Sequence, residues 1–249
     1  MLKFANLPEE SDDAISVLLK NAKSVKILYL NDCRVSGKFI NTPHNLKELY
    51  VYYCNRLNAD FYSFFKKNVE FDYLSIMITP ECDVNTSFSF AKKLQVAFTT
   101  RIFDFSNYLP RYSFLNSNRL VNLTLIVSKD KDIVIDQSCL ETVFSTCQSL
   151  EELCVTGISF SNSSSLSLKE NLSIRIFTVM YLVNVDETAV EKMAVALPNL
   201  LNVAYYGEPN FIKTFITHCN YLLEAKGYVP IKKPVAPTPP SRFWNCNIA

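Results

Sequence analysis

Two stretches of the chain, VKILYLNDC at residues 25–33 and LKELYVYYC at residues 46–54, share one pattern. Both fit the frame L-x-x-L-x-L-x-x-C, with other apolar residues replacing some leucines. The two central apolar residues lie two positions apart, so they point to the same face of a short strand. The residues between them point to the other face. The frame therefore predicts strands that bury one face only.

The same frame recurs along the chain. It begins at residues 25, 46, 71, 120, 150, 174 and 200, with steps of 21, 25, 49, 30, 24 and 26 residues. The step of 49 is about twice the others, so a degenerate repeat is expected near Leu94 in KLQVAFTT. One such unit cannot bury its apolar face alone, but stacked neighbours form a continuous core. The alternative is a compact α/β domain whose buried strands look alike, and seven segments in one frame favour the repeat.

Helical spacing occupies segments between these strands. In DETAVEKMAVALPN (186–199), Val190, Met193 and Leu197 fall on one helical face, with Asp186 as the expected N-cap and Pro198 at the end. The same spacing predicts helices in residues 10–24, 58–68 and 136–149. The predicted fold class is α/β, a solenoid over residues 1–227 with a parallel sheet on the concave face and helices on the convex face.

The repeats resemble those of ribonuclease-inhibitor-like and cysteine-containing leucine-rich repeat proteins, because the spacers have helical length and Cys33 and Cys54 end the frame. CLETVFSTCQSLEEL (139–153) and THCNYLLEA (217–225) also resemble the helix and C-x-x-L-x-x-L pattern of F-box/leucine-rich-repeat proteins. The resemblance implies a leucine-rich repeat horseshoe. It also implies a function, since such repeats form the substrate-recognition arm of SCF-type ubiquitin ligase receptors.

The chain departs from that family at its start. A repeat already begins at Val25, which leaves no room for the three-helix F-box that binds a Skp-type adaptor. Two expectations follow. The chain is the recognition arm of such a receptor, with a Skp-type adaptor and cullin as further partners if an F-box lies upstream. The alternative is a stand-alone adaptor or scaffold with no ubiquitin role.

Strand residues that point away from the core are the predicted partner-binding face. They carry almost no charge and several aromatic residues, which is typical of surfaces that bind a protein or peptide. A one-residue slip in register would exchange core and surface, and a covering loop or tail is the other alternative. Tyr29, Asn31, Tyr50 and Tyr52 are the expected hot spot. The candidate residues are Tyr29, Asn31, Tyr50, Tyr52, Met77, Thr124, Ile126, Thr156, Thr178, Met180 and Tyr206.

Composition argues against several other classes of function. The net charge is +1, from 25 basic and 24 acidic residues without a basic stripe, so we expect no nucleic-acid or membrane partner. Only 4 Gly and 2 His occur, which disfavours a Gly-rich phosphate site and histidine catalysis. His44 is expected in a solvated turn and His218 on a convex-side helix. We expect no enzymatic activity, cofactor or metal; an enzyme is the remaining alternative, and it predicts activity that depends on a His or Cys.

The eight cysteines form no CxxC pair and no cluster with zinc-ligand spacing. They are expected to be buried, reduced thiols. The first residues lack the apolar core of a secretory signal, and no stretch has the length of about 18 apolar residues that a membrane span needs. The expected location is cytoplasmic or nuclear.

Residues 228–249 are Pro-rich and are predicted to form an extended or disordered tail. Pro237, Pro240 and Arg242 satisfy P-x-x-P-x-R, a pattern that SH3 domains bind. Trp244 follows this motif and is a candidate to fold back and cap the last repeat.

Overall fold

The fold is given by a computed structural model, which describes residues 1–65, 69–78, 91–98, 119–127, 135–160, 162–183, 185–206 and 209–225. The predicted tail and its docking residues Pro237, Pro240 and Arg242 lie outside these ranges. The strands are β1 Leu2–Ala5, β2 Ile27–Asn31, β3 Glu48–Tyr52, β4 Phe71–Ile78, β5 Ala91–Phe98, β6 Asn122–Val127, β7 Ile135–Asp136, β8 Glu152–Ser159, β9 Ile176–Val183 and β10 Asn202–Tyr206. The α-helices within the described ranges are α1 Ser11–Asn21, α2 Ala59–Phe64, α3 Gln137–Thr146, α4 Glu187–Ala196 and α5 Pro209–Ala225.

All the described strands belong to one sheet, in the order β1-β2-β3-β4-β5-β6-β8-β9-β10, and the short β7 pairs with β8. Every described pairing is parallel. Each main strand therefore lies beside the main strands that precede and follow it in sequence. This confirms the predicted α/β class with a parallel sheet, in a solenoid-like arrangement.

The strands pair with equivalent positions of the frame opposite one another. Leu28 lies opposite Leu49, Leu49 opposite Leu74, and Leu94 opposite both Leu74 and Leu123. The inward positions form two rows in one buried cluster, and each is at most 1% exposed. They are Leu28, Leu30, Leu49, Val51, Leu74, Ile76, Leu94, Val96, Leu123, Leu125, Leu153, Val155, Phe177, Val179 and Val203.

The degenerate repeat expected near Leu94 is present as β5, and Ala91 is buried at the first apolar position of its frame. The sequence prediction missed β1, whose residues Leu2 and Phe4 pair with Leu28 and Leu30. β1 contains four residues and matches only the centre of the frame.

The cysteine that ends the frame has a local role. The thiols of Cys33 and Cys54 are buried and donate to the carbonyl oxygens of Asn31 and Tyr52, each at 3.3 Å. Asn31 and Tyr52 lie opposite one another in β2 and β3. A cysteine here combines a small apolar side chain with a weak donor for the last carbonyl of the strand.

The predicted helices are present, and the one predicted N-cap, Asp186, is used. Asp186 begins α4 by accepting a hydrogen bond from the Ala189 amide at 2.9 Å, and Asn58 begins α2 by accepting from Asp60 and Phe61. The same type of turn connects several helices to the first residue of the repeat frame that follows. The amides of Val25, Leu150 and Leu200 donate to the carbonyls of Ala22, Cys147 and Leu197, respectively.

The connection between β2 and β3 is fixed to α1 by one carboxylate. Asp12 is 8% exposed and accepts hydrogen bonds from the amides of Ser36, Gly37 and Phe39. Gly37 has φ of 89°, and a Cβ there would come within 2.6 Å of Phe61. Only glycine satisfies both the backbone angle and the close packing.

Asn171 plays a similar part before β9. Its side chain is fully buried and donates to the carbonyls of Phe144 and Cys147, at the end of α3, and its oxygen accepts from the amides of Ser173 and Ile174. One side chain thus satisfies four backbone groups where the chain turns into the strand. None of the helices among the described residues has the length and apolar character needed to cross a membrane.

We predict that Asn171→Ala lowers the free energy of unfolding by about 3 kcal/mol, because it leaves buried amides and carbonyls without partners. Urea denaturation monitored by circular dichroism measures the change. Asn45→Ala is the matched control, since Asn45 is exposed and makes one described bond, to the Lys23 carbonyl; a change within about 0.5 kcal/mol is expected there. Equal losses in the two variants would contradict the role assigned to Asn171.

Candidate functional site

The candidate site is the sheet face that points away from the core. Strand pairing arranges its side chains in rows, and the row through the middle of the sheet matches the predicted register without a slip. That row is Lys3, Tyr29, Tyr50, Ser75, Gln95, Thr124, Cys154, Thr178 and Ala204. The predicted second row is also present, with Asn31 opposite Tyr52 and Ile126 opposite Ala97. In the same row Thr156 lies opposite Met180, and Met180 opposite Tyr206.

Four tyrosines form a cluster on β2, β3 and β4, which we call the tyrosine cluster: Tyr29, Tyr50, Tyr52 and Tyr73. The rings of Tyr50 and Tyr73 stack with centroids 4.8 Å apart and planes 19° apart. The centroid of Tyr29 lies 5.8 Å from that of Tyr50 and 5.4 Å from that of Tyr52. All four side chains are half-buried, so each ring keeps part of its surface accessible. Ring pairs at these distances stabilise each other and hold a rigid aromatic surface.

Polar groups set the orientation of this cluster. The Tyr50 hydroxyl donates to Glu48 at 2.8 Å, and the Tyr73 hydroxyl bonds to Gln95 at 3.0 Å. The ammonium of Lys3 lies 5.8 Å from the centroid of the Tyr29 ring, within cation–π range. The cluster therefore presents aromatic faces with hydroxyls and one charge of each sign beside them.

The middle of this face differs from its N-terminal end. Met77, Thr124 and Thr156 are 8%, 7% and 8% exposed, so these three predicted contact residues offer little area to a partner. Ser75 and Gln95 are buried beside them at 1% and 4%, and the Ser75 hydroxyl has no hydrogen-bond partner within the described part of the chain. Towards the C-terminal strands the side chains of this face are more accessible again. Thr178 and Met180 on β9 are half-buried, and so is Ile126 on β6. The side chain of Tyr206 lies outside the described positions.

The sequence prediction missed a further row on this face. In each strand it lies two residues before the row that contains Tyr29 and Tyr50. It consists of Ile27, Glu48, Tyr73, Lys93, Asn122, Glu152, Ile176 and Asn202. The signal was present in the sequence, because the same alternation that selects Tyr29 and Tyr50 also selects residues two positions before them. This row adds Tyr73 to the cluster and brings Glu48, Lys93 and Glu152 onto a face expected to be nearly uncharged.

Three residues that follow strands have left-handed backbones. Asn6, Asp32 and Tyr53 come after β1, β2 and β3, with φ of 54°, 50° and 53°. Asn and Asp adopt this conformation readily, whereas a bulky tyrosine does so at a cost. Tyr53 is 39% exposed and directly follows Tyr52 of the cluster. Tyr53, a strained tyrosine next to the tyrosine cluster, is therefore a further candidate contact residue.

The structure also places the residues considered for catalysis. The Nδ1 atom of His44 accepts a hydrogen bond from the Leu46 amide at 3.2 Å, and the centroid of its ring lies 5.5 Å from that of Phe64. His44 is therefore packed against the protein, and the expectation of a solvated turn residue was wrong. His218 lies on α5 with its Nε2 atom 4.0 Å from Glu191 of α4. Among the described residues, no group of three or more His, Cys, Asp or Glu side chains is placed to hold a metal ion.

The described cysteines are free thiols. Cys33, Cys54, Cys139, Cys147 and Cys219 are buried as predicted, while Cys154 on the candidate face is half-buried. Cys82 and Cys246 lie outside the described residues. Burial raises the pKa of Cys54, Cys154 and Cys219 to about 12 and that of Cys147 to about 11. These thiols stay protonated and unreactive at neutral pH.

A charged cleft of about 270 Å³ lies where β3 to β6 begin, lined by Lys47, Glu70, Phe71, Asp72, Lys92 and Arg119. Arg119 donates to Glu70, and this hydrogen bond with its charge holds the pKa of Glu70 below its ordinary value. Three basic and two acidic side chains line the cleft, and Arg119 is paired with Glu70, so the lining has no strong excess of either charge.

Neither protein-family models nor curated proteins gave a match to this chain. The resemblance to leucine-rich repeat proteins therefore stays an expectation from the sequence frame.

We predict that His44 titrates below its ordinary pKa of 6.5, because burial disfavours the charged imidazole. The unfolded chain then binds more protons than the folded chain below pH 6.5, so stability is full above that pH and declines as pH falls. Proton NMR of the imidazole signals measures the pKa, and urea unfolding measures the decline. His44→Gln should flatten the decline; an unchanged pH profile in that variant would contradict the prediction.

We predict that iodoacetamide modifies Cys54, Cys147 and Cys219 of the folded protein at least about a hundredfold more slowly than a free thiol, because each unit of raised pKa lowers the thiolate fraction tenfold. Mass spectrometry of the digested protein reports each site separately. The control is the protein unfolded in urea, in which each cysteine should react with iodoacetamide at the rate of glutathione. Rapid modification of the folded protein would show that these thiols are accessible.

Proposed function

We propose that this chain is a leucine-rich repeat solenoid that binds a protein or peptide through the tyrosine cluster. The observation that carries the proposal is the packing of Tyr29, Tyr50, Tyr52 and Tyr73 into one half-buried aromatic surface on neighbouring strands. Interface hot spots are enriched in tyrosine and lie in well-packed surroundings, where ordering the side chain on binding costs little.

Several features support the leucine-rich repeat assignment. Equivalent frame positions lie opposite one another from β2 to β10, and inward residues form one continuous core. Cys33 and Cys54 occupy the same place in consecutive repeats and make the same bond to the end of the strand. A parallel sheet on the concave face and helices on the convex face of a horseshoe is the architecture that this periodicity favours.

The local chemistry narrows the class of partner. The tyrosine cluster offers flat aromatic area together with hydroxyls and the Glu48 carboxylate, while Lys3 adds a single positive charge. Such a surface suits apolar and aromatic side chains accompanied by backbone amides, which can donate to the hydroxyl oxygens and to the Glu48 carboxylate. It lacks the clustered positive charge that a nucleic acid requires.

For the biological setting, the proposal is the substrate-recognition arm of an F-box/leucine-rich-repeat receptor of an SCF-type ubiquitin ligase. Its support is the resemblance of residues 139–153 and 217–225 to the helix-and-strand pattern of that family. A stand-alone adaptor is the second candidate, because the tyrosine cluster could bind a partner protein without any ubiquitin ligase machinery. Purification of the natural protein, tagged at its endogenous locus, distinguishes them. A Skp-type adaptor and cullin in the complex support the first, and a captured partner without them supports the second.

The binding face itself is tested with a photo-crosslinking amino acid at Asn31, beside Tyr52. In cells it should trap a protein that the same amino acid at Val17 does not trap, because Val17 lies on α1 and is 57% exposed away from the sheet. The trapped protein is then purified, and its affinity for the unmodified chain is measured.

We predict that Tyr29→Ala, Tyr50→Ala and Tyr52→Ala together weaken that affinity by at least about 30-fold, the loss expected from removing one strong hot spot. Calorimetry measures the dissociation constant, and circular dichroism confirms that the variant folds. Val17→Ala is the control and should bind as the unmodified chain does. If the triple variant bound with unchanged affinity, the tyrosine cluster would not be the binding site.

A further inference from the structure

An acidic side chain, Glu48 of β3, stands beside the tyrosine cluster. Its carboxylate accepts a hydrogen bond from the Tyr50 hydroxyl at 2.8 Å. A tyrosine hydroxyl lies at the tip of its side chain, so the carboxylate that meets it stands level with the outer end of the ring. Glu48 is half-buried, and part of the residue therefore stays accessible to a partner.

Glu48 differs from two other acidic residues of the N-terminal repeats, which have cationic partners. Glu9 pairs with Arg56, and Glu70 pairs with Arg119. Within the described part of the chain, Glu48 takes part in no ion pair. A carboxylate offers about four acceptor positions, and the Tyr50 hydroxyl occupies one of them. Most of the acceptor capacity of Glu48 therefore remains for a partner.

The hydroxyl groups of the cluster also act as acceptors toward a partner. The Tyr50 hydroxyl donates its proton to Glu48, and the Tyr73 hydroxyl donates its proton to Oε1 of Gln95 at 3.0 Å. A hydroxyl that has donated its one proton can only accept a further hydrogen bond. The two hydroxyl oxygens and the Glu48 carboxylate therefore match a group that carries several donors and no acceptor.

The aromatic rings add an attraction for positive charge. The negative face of an aromatic ring attracts an ammonium or guanidinium group within about 6 Å of its centroid. The chain itself contains one such contact, since the Lys3 ammonium lies 5.8 Å from the centroid of the Tyr29 ring. Glu48 lies opposite Tyr73 in the strand register, and Tyr73 stacks on Tyr50. The carboxylate and the rings that favour a cation therefore lie together.

Two lysines on this face flank Glu48 at a greater distance. Lys3 lies on β1 and Lys93 on β5, and each of these strands is two strands away from β3 in the sheet. Two strand spacings amount to about 10 Å, which is close to the Debye length at physiological salt. A cation in hydrogen-bond contact with Glu48 is therefore attracted more strongly than the two lysines repel it.

We propose that the partner of the tyrosine cluster presents an arginine, whose guanidinium binds the Glu48 carboxylate and packs against the rings of Tyr50 and Tyr73. This inference rests on the proposed function, because it names a partner group for the same site, in addition to the apolar and aromatic contacts. A guanidinium has five N–H donors and no acceptor, pairs with a carboxylate through two parallel hydrogen bonds and stacks on aromatic rings. The ammonium of lysine has the charge but lacks the planar shape.

The test uses the full-length chain and random peptides displayed on phage. Peptides are selected on the unmodified chain and kept only if the variant with Tyr29→Ala, Tyr50→Ala and Tyr52→Ala does not retain them, which restricts the set to ligands of the tyrosine cluster. We expect these peptides to share an arginine. Citrulline has nearly the same shape as arginine without its charge, so this replacement should weaken binding at least about tenfold, the loss expected for a hydrogen bond to a charged group.

Glu48→Gln identifies the group that the arginine meets, because glutamine keeps an acceptor for the Tyr50 hydroxyl and removes the charge. In this variant the citrulline replacement should weaken binding less than about threefold, since the interaction is already lost. Glu152→Gln is the matched control, because Glu152 is a half-buried acid of the same row on β8. The full citrulline effect is expected there. Circular dichroism verifies that all variants stay folded.

The outcomes separate this inference from the proposed function. Peptides that need the tyrosines but share no arginine, or whose citrulline forms bind equally well, would overturn the inference and leave the proposed function standing. An equal citrulline effect in Glu48→Gln would overturn it too, because the arginine would then bind elsewhere, as would lysine in place of arginine without loss. If no selected peptide depended on the tyrosines, the proposed binding face would be wrong and the inference would fall with it.

Discussion

Parallel pairing in one common register is the interaction on which the molecule depends. When Leu28 lies opposite Leu49, every other residue of the two strands is assigned to the core or to the opposite face. A slip by one residue at any pair would bury Tyr50 and expose Leu49, so the core itself enforces the register. The tyrosine cluster exists because this register places tyrosines of neighbouring strands side by side.

The two ends of the sheet have different characters. The N-terminal strands carry stacked tyrosines with polar partners, and the C-terminal repeat carries exposed Leu201 and Val195 on the edge. Between them the face is buried at Ser75, Gln95 and Thr124. The buried middle therefore divides the accessible area of this sheet face into two separate regions.

Much of the fold follows from the sequence because an apolar residue at every second position reports directly on a one-sided strand. The inward rows and the strand containing Leu94 were predictable on this basis, and the Asp186 cap was predictable from the preference of Asp for the N-cap. β1 was missed because LKFA contains only the centre of the frame and no preceding helix. The burial of Met77, Thr124 and Thr156 was missed for another reason: alternation gives the direction of a side chain, while its exposure depends on what lies above it. Tyr73 was within reach of the same alternation, whereas the left-handed backbone of Tyr53 has no sequence signal, since tyrosine is among the residues least expected there.

The backbone bonds between equivalent residues, such as Leu201 to Arg175 and Arg175 to Glu151, have an evolutionary consequence. Each repeat meets its neighbours through the same set of donors and acceptors, so the gene can gain or lose an entire repeat while every remaining strand keeps its register. A single inserted residue within a strand has no such freedom, because it reverses the facing of everything that follows it in that strand. Length variation in this architecture is therefore expected in whole repeats or in the connections between them, and an added repeat after β4 would move β10 further from the tyrosine cluster without altering either.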